Sequence, residues 1–343
     1  MSPRPRSPAR LERIANAAEK LRLSEGERQE LLFTAQTLIL CGLPYKATDK
    51  RSITREAKTS KGRLRVTFQA NLADVPLPYG KDRVLLTFLL TKARQTDSPT
   101  VTFDFAREYL DTWGEGVGGK SYAALADRWR RLSGLTIVIE RDGADSPHHA
   151  RIQTLVEELY LPPKAGIMAE RAGRPFFPEL EVKSHYQITF SASFWEDFKR
   201  FAVPLNASVM KAFATRPLAW DFVQFVHYRS FAVHKQAEVN PQAEARIGWN
   251  ELLLMLGTSS RDRKGLLREL RAILEELAHL WPQHQARFEA STLHIAPPTD
   301  GIGLVATKAQ DNHRTMLARV RKQMADKGLP WPKALTGKDK RFP

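Results

Sequence analysis

Twice along this chain of 343 residues the apolar period passes through one order: a helix, a strand, a shorter helix, a turn, a helix and a strand pair. In the first pass, 81–96 places Val84, Leu85, Phe88 and Leu89 on one helical face, and 99–103 is a short strand. Residues 104–113 space Phe105, Tyr109, Leu110 and Trp113 as a helix. A helix over 121–134 follows, capped by Ser121 and closed by Gly134, then a β-branched strand over 135–143 with 151–162 as its returning partner. In the second pass, 205–231 is long, apolar and helical, with a break at Pro217. A strand at 245–249, an Asn-capped helix at 250–257 ended by Gly257, a long helix at 258–281 ended by Pro282 and a strand pair within 286–298 complete it.

That order is the order of a winged helix, and it predicts an α+β chain of two tandem winged-helix domains, 41–200 and 201–300. The length suits two domains, each large enough for its own core. Residues 1–40 read as a partly disordered N-terminal arm with a helical segment carrying Leu21, Leu23, Leu31, Leu32 and Leu38. Residues 301–343 read as a basic tail, with ten Lys/Arg against three acids over 307–343. Residues 46–65 carry eight Lys/Arg against two acids and little apolar content. They read as a basic arm or loop, either contacting a polyanion or forming a solvated charge run.

Between the second and third helices of the first pass lies GEGVGGKS, residues 114–121, which fits the phosphate-loop pattern letter for letter. A phosphate loop joins a buried parallel strand to a helix within alternating strands and helices. Here the glycines follow a segment of helical period, and no run of strand–helix units surrounds them. The stretch therefore reads as the turn of a helix-turn-helix, with a P-loop nucleotide hydrolase as the alternative. Lys120 then starts a helix, where its charge opposes the helix dipole and a phosphate of DNA would relieve it.

Lys+Arg exceed Asp+Glu by 53 to 38, a net charge of +15, which favours a polyanionic partner. No apolar run is long enough to span a membrane and no export segment follows the basic start, so the chain is expected in the cytoplasm with no membrane partner. Cys41 is the one cysteine, which excludes an intramolecular disulfide and a cysteine zinc site. His148 and His149 are adjacent and diverge, and His279 and His284 straddle Pro282 and share no helical face. No catalytic constellation, metal site or cofactor site emerges, and no enzyme is expected.

Helical phasing singles out two surfaces. On 121–134, Tyr122, Leu125, Trp129 and Leu132 form the apolar face. The opposite stripe holds Lys120, Ala124, Asp127 and Arg131, with Arg130 beside it and Arg128 at the border. On 261–281, Leu266, Leu270, Ile273, Leu277 and Trp281 form the apolar face, opposed by Arg261, Lys264, Arg268 and Arg271, with Glu275 at the far end. A helix with a cationic face suits the major groove of double-stranded DNA, where Arg reads guanine and Lys meets phosphate. The other reading is a solvated helix surface. The candidate DNA-binding residues are Lys120, Ser121, Ala124, Arg128, Arg130, Arg131, Arg261, Arg263, Lys264, Arg268 and Arg271.

Several segments, in order, resemble the plasmid replication initiators of the RepA type: GLPYK, LPYGKDRVLLTFLLTKA, WGEGVGGKSYAALADRWRRLSGLTIVI, PLAWDFVQFVHYRSF and IGWNELLLMLG. The resemblance covers roughly 42–298, and the GKS lysine and the tail at 307–343 stand outside the pattern. It implies a protein that binds repeated sites at a plasmid origin, promotes origin opening and recruits the host replication initiator and helicase, without nuclease or ATPase activity. It also implies a monomer–dimer equilibrium, although no coiled-coil seam marks a homodimer here. A winged-helix transcriptional repressor, acting on its own promoter among others, is the alternative.

Overall fold

The structure, a computed structural model, describes residues 31–59, 62–103, 107–113, 119–143, 146–161, 186–240, 242–258 and 262–299. The N-terminal 30 residues, Gly114–Gly118, Arg261 and the basic tail lie outside the described residues.

The chain is α+β, and the order expected from the sequence is present. Helix α2 (Asp82–Thr96), strand β4 (Thr100–Phe103), helix α3 (Arg107–Thr112) and helix α4 (Gly119–Ser133) follow a short β1 (Leu31–Ala35), α1 (Gln36–Leu40) and the strands β2 (Ser52–Thr59) and β3 (Gly62–Ala70). Next come β5 (Leu135–Gly143), β6 (Ser146–Thr154), β7 (Val156–Tyr160), β8 (Tyr186–Phe190), α5 (Ala192–Phe201), β9 (Ala202–Asn206) and α6 (Ala207–Phe213). The second pass is α7 (Pro217–Ala237), β10 (Ala245–Ile247), α8 (Trp249–Leu256), α9 (Arg263–Leu280), β11 (Gln285–Glu289) and β12 (Thr292–Ala296).

Two antiparallel three-stranded sheets share one topology. In β4-β8-β7 and in β10-β12-β11, the strand before the helix pair joins the last strand, and the middle strand in sequence takes the far edge. The strand pair expected to close the first unit does something else. Strands β5 and β6 pair with each other and join β2 and β3 in a four-stranded sheet, β2-β3-β5-β6. The segment 151–162 divides at Leu155, whose N–H donates to the Leu135 carbonyl (2.8 Å) and whose carbonyl accepts from Ser191 N–H (3.2 Å). Leu155 and Val156 are both buried in succession, which breaks the strand alternation and marks where the chain changes sheets.

The basic segment 46–65 is not a loop. Its strands β2 and β3 form a hairpin in register from Ser52↔Gln69 to Thr59↔Gly62. Alternation places Ala57, Leu64, Val66 and Phe68 inward. On the other face Glu56 pairs with Arg63 (3.0 Å) and Arg65 (3.1 Å), and the Thr54 and Thr67 hydroxyls hydrogen-bond at 2.9 Å. Few apolar residues and a dense charge pattern hid the strands. Leu31 and Leu32, expected on a helix, lie instead in β1, which runs antiparallel to β9 from Leu31↔Asn206 to Ala35↔Ala202.

Helix α2 is more than one-faced: from Asp82 to Thr91 every residue is buried. Its threonines satisfy themselves, Thr87 donating to the Arg83 carbonyl (2.9 Å) and Thr91 to the Thr87 carbonyl (2.7 Å). The apolar run 205–231 is two helices, with Pro217 opening α7 at its first turn, where no N–H is needed. Gly248, not Asn250, caps α8, and Gly257 ends it at φ 60°, as expected. Helix α9 begins at Arg263, later than its periodicity suggested, because Asp262 caps it by accepting from Gly265 N–H at 2.8 Å.

One apolar core runs through both units. Trp113 after α3 meets Trp220 of α7 edge to face at 5.6 Å. Beside it, Arg83 of α2 forms a buried ion pair with Asp221 of α7.

Candidate nucleic-acid interface

The two helices singled out by phasing bury the faces predicted for them. Tyr122, Leu125, Trp129 and Leu132 of α4 are in the core, as are Leu266, Leu270, Ile273 and Leu277 of α9 and Trp281 just beyond it. What remains outside is the candidate contact surface. On α4, Lys120, Ala124 and Arg130 are exposed beside Asp127, and Ser121 is half-buried.

Arg131 of the α4 stripe and Arg128 at its border are drawn inward. Arg131 places Nε 2.7 Å from one Asp82 oxygen and Nη2 2.9 Å from the other, and its guanidinium lies 4.6 Å from the Tyr79 ring centroid. Burial pushes this guanidinium down, but the Asp82 hydrogen bonds and charge outweigh it and raise it above its ordinary value. Arg131, expected at the DNA, thus commits Nε and Nη2 to Asp82, and these donors hold α4 to the α2 N-terminus. Arg128, half-buried, donates to the Tyr109 hydroxyl at 3.3 Å.

On α9 the outcome is different. Arg263, Lys264 and Arg268 are exposed and form no ion pair with any described residue. They crowd the first turns of a helix, the end where a cation is least favourable, and so form a cationic surface suited to an anion. Arg271, also exposed, donates from Nη2 to the Ala290 carbonyl at 2.5 Å. Ala290 has φ 50° and forms the turn between β11 and β12, so Arg271 ties α9 to the tip of that hairpin. At the base of the same sheet, Glu244 accepts from Arg246 (2.8 Å), Arg287 (2.9 Å) and His294 (3.2 Å), and these hydrogen bonds hold its carboxyl down at about 2.

The phosphate-loop reading loses its geometric requirement. Lys120 and Ser121 begin α4, the preceding element is the helix α3, and every strand pairing among the described residues is antiparallel. His149 is exposed on β6. Among the described residues there is no cluster of three metal-ligating side chains and no helix long and apolar enough to cross a membrane.

Sequence reasoning missed the contact between units beside this surface. Arg55 of β2 lies against Gly257, where any side chain would run into its guanidinium, so the hairpin of the first unit abuts the turn that leads into α9. The signal was present as an arginine among alternating inward positions, but only the pairing partner shows which way it faces.

No known family model matches the chain, and no curated protein matches it in sequence. Solved structures do resemble it in outline. A selenomethionine derivative of domains 2 and 3 of RctB is similar with a TM-score of 0.45 at 10% identity, over 77% of this chain and 99% of that one. A second structure of RctB domains 2-3 gives a TM-score of 0.43 at 11% identity, over 78% and 99%.

Proposed function

We propose that this chain is a non-enzymatic plasmid replication initiator, built from two tandem winged helices that bind repeated sites in double-stranded origin DNA. The observation that carries this reading is the α9 surface, where Arg263, Lys264 and Arg268 stand exposed without an ion pair among the described residues. It is supported by the net charge of +15, by the topology shared between the two three-stranded sheets, and by Lys120 and Arg130 on the corresponding helix of the first unit. In each unit the helix after the turn enters the major groove, and the hairpin beyond it follows the backbone. Binding energy is the mechanism: cations release counterions, the helices set the register, and bound copies strain adjacent DNA until it opens. The host initiator and helicase are then recruited, and a homodimer competes with origin binding. No cofactor takes part.

Footprinting the protein on the origin region of its own plasmid tests this. Direct repeats beside an AT-rich stretch are the expected protection. A single inverted repeat at a promoter would instead make the protein a transcriptional repressor of the same architecture. Hydrolysis of ATP by purified protein, abolished by Lys120→Ala, would make it a nucleotide hydrolase and overturn the reading.

A further inference from the structure

Asp82 and Arg83 are consecutive residues in the first turn of α2, both buried, and their side chains leave the helix in different directions. Asp82 holds both nitrogens of the Arg131 fork in the last turn of α4. Arg83 reaches the other unit. Its Nη1 pairs with Asp221 of α7, its Nη2 donates to the Leu43 and Pro44 carbonyls (2.7 Å each), and its Nε donates to the Gly80 carbonyl (2.9 Å). The guanidinium is thereby fixed from three sides. From α7 the chain of charges continues, since Arg216 at its N-cap pairs with the buried Glu276 of α9. Three ion pairs, linked through the first turn of α2 and the start of α7, thus connect α4 to α9.

Such a series is a poor way to gain stability, because a buried ion pair rarely outperforms apolar side chains of equal volume. What it supplies is direction: a guanidinium fork accepts a carboxylate in few orientations. Gly42 adds to this constraint, since any side chain there would collide with the Asp221 carboxylate. We propose that the Asp82–Arg83 node fixes the separation of α4 and α9 and thereby selects the spacing of the two DNA half-sites the protein accepts. The proposal rests on the DNA-binding reading above. One added base pair moves a half-site by about 3.4 Å and rotates it about the duplex axis, a displacement a rigid pair of helices cannot follow.

The test uses the full chain and duplexes carrying the footprinted site with one to three base pairs inserted or removed between its halves. Wild type is expected to lose at least about tenfold in affinity for a one-base-pair change. Asp221→Asn, which keeps the shape and removes the charge, is expected to flatten that loss to less than about threefold while still binding each half. Identical spacing profiles for the two proteins would overturn the proposal. A second measurement needs no DNA: spin labels at Ala123→Cys and Glu269→Cys, both exposed positions on α4 and α9. The natural Cys41 is buried, its thiol pushed up to about 12, so labels attach at the introduced sites. A single narrow distance in wild type and a broadened one in Asp221→Asn is expected, and an equally narrow distribution in both sinks the node. Absence of any DNA binding by wild type would refute the functional reading and the spacing rule together, whereas the distance widths report on the node alone. If Asp221→Asn does not fold, Arg83→Lys keeps the charge but loses the three-way tether, and the same two measurements apply.

Discussion

The His227 imidazole of α7 stacks on the Trp281 indole, ring centroids 4.5 Å apart and planes 19° from parallel. This contact packs the end of α9 against α7, and it leaves a titratable ring inside the protein. Burial, helped by the nearby His284, lowers the His227 pKa from 6.5 to about 3. The folded state thus holds a neutral imidazole where the unfolded chain binds a proton near 6.5. Its stability is complete above that value and declines as the pH falls through the window from 6.5 to about 3. We expect the denaturation midpoint to fall by pH 5, with a slope of up to about 1.4 kcal/mol per pH unit for this group. His227→Phe should remove most of that slope, leaving the share of His284, which burial also lowers. Denaturant titrations from pH 8 to 5 measure both.

Arg131→Ala should cost stability before it costs DNA affinity. Asp82 would keep its charge in a site 1% exposed, with neither of its guanidinium donors. Loss of one partner of such a pair costs about 3–5 kcal/mol. Chemical denaturation should show this, and a variant as stable as wild type would overturn the structural role given to the pair.

Its neighbour Arg130 should behave the opposite way. It is exposed, and Arg130→Ala is expected to change stability by less than about 0.5 kcal/mol. Binding should weaken by a similar factor on every DNA sequence, and the salt dependence should drop by about one unit of slope. Titrations at several salt concentrations check this.

For α9, Arg268→Ala is expected to lose at least about 1 kcal/mol of specific binding with the fold intact. Fluorescence anisotropy on the footprinted site against a scrambled duplex separates specific from general loss. Unchanged affinity for both would remove α9 from the interface.

Gly257→Ala should destabilise by more than about 1 kcal/mol, since the backbone there is left-handed and Arg55 occupies the space of a side chain. Thermal unfolding measures it. The same substitution should disturb the contact between the β2–β3 hairpin and the turn before α9, lowering DNA affinity in parallel.

Much of this architecture was written in local periodicity. The apolar faces of α4 and α9 followed from 3.6-residue spacing, because each helix buries one apolar stripe. The caps at Gly257 and before Pro282 were equally plain. What local spacing does not encode is partnership. Strands β2 and β3 carry too few apolar residues to declare themselves, and they become a hairpin only because β5 supplies the next edge. Leu155 looks like any strand residue until its two hydrogen bonds are seen to lie in two sheets. Arg131 reads as a groove cation when taken singly, and its pairing with Asp82 joins residues 49 apart in sequence. The candidate surface was therefore legible as a set of outward cations, but which of them are engaged inside the protein was not.

The pairing of β1 with β9 has a consequence for synthesis. Leu31 finds its partner only at Asn206, so a chain emerging from the ribosome carries an unpaired strand until nearly the whole first unit has been made. The last strand of the first three-stranded sheet, β8, arrives shortly before β9, so sheet closure and β1 capture fall close together in time. Completion of the first unit thus falls just before α7 is made.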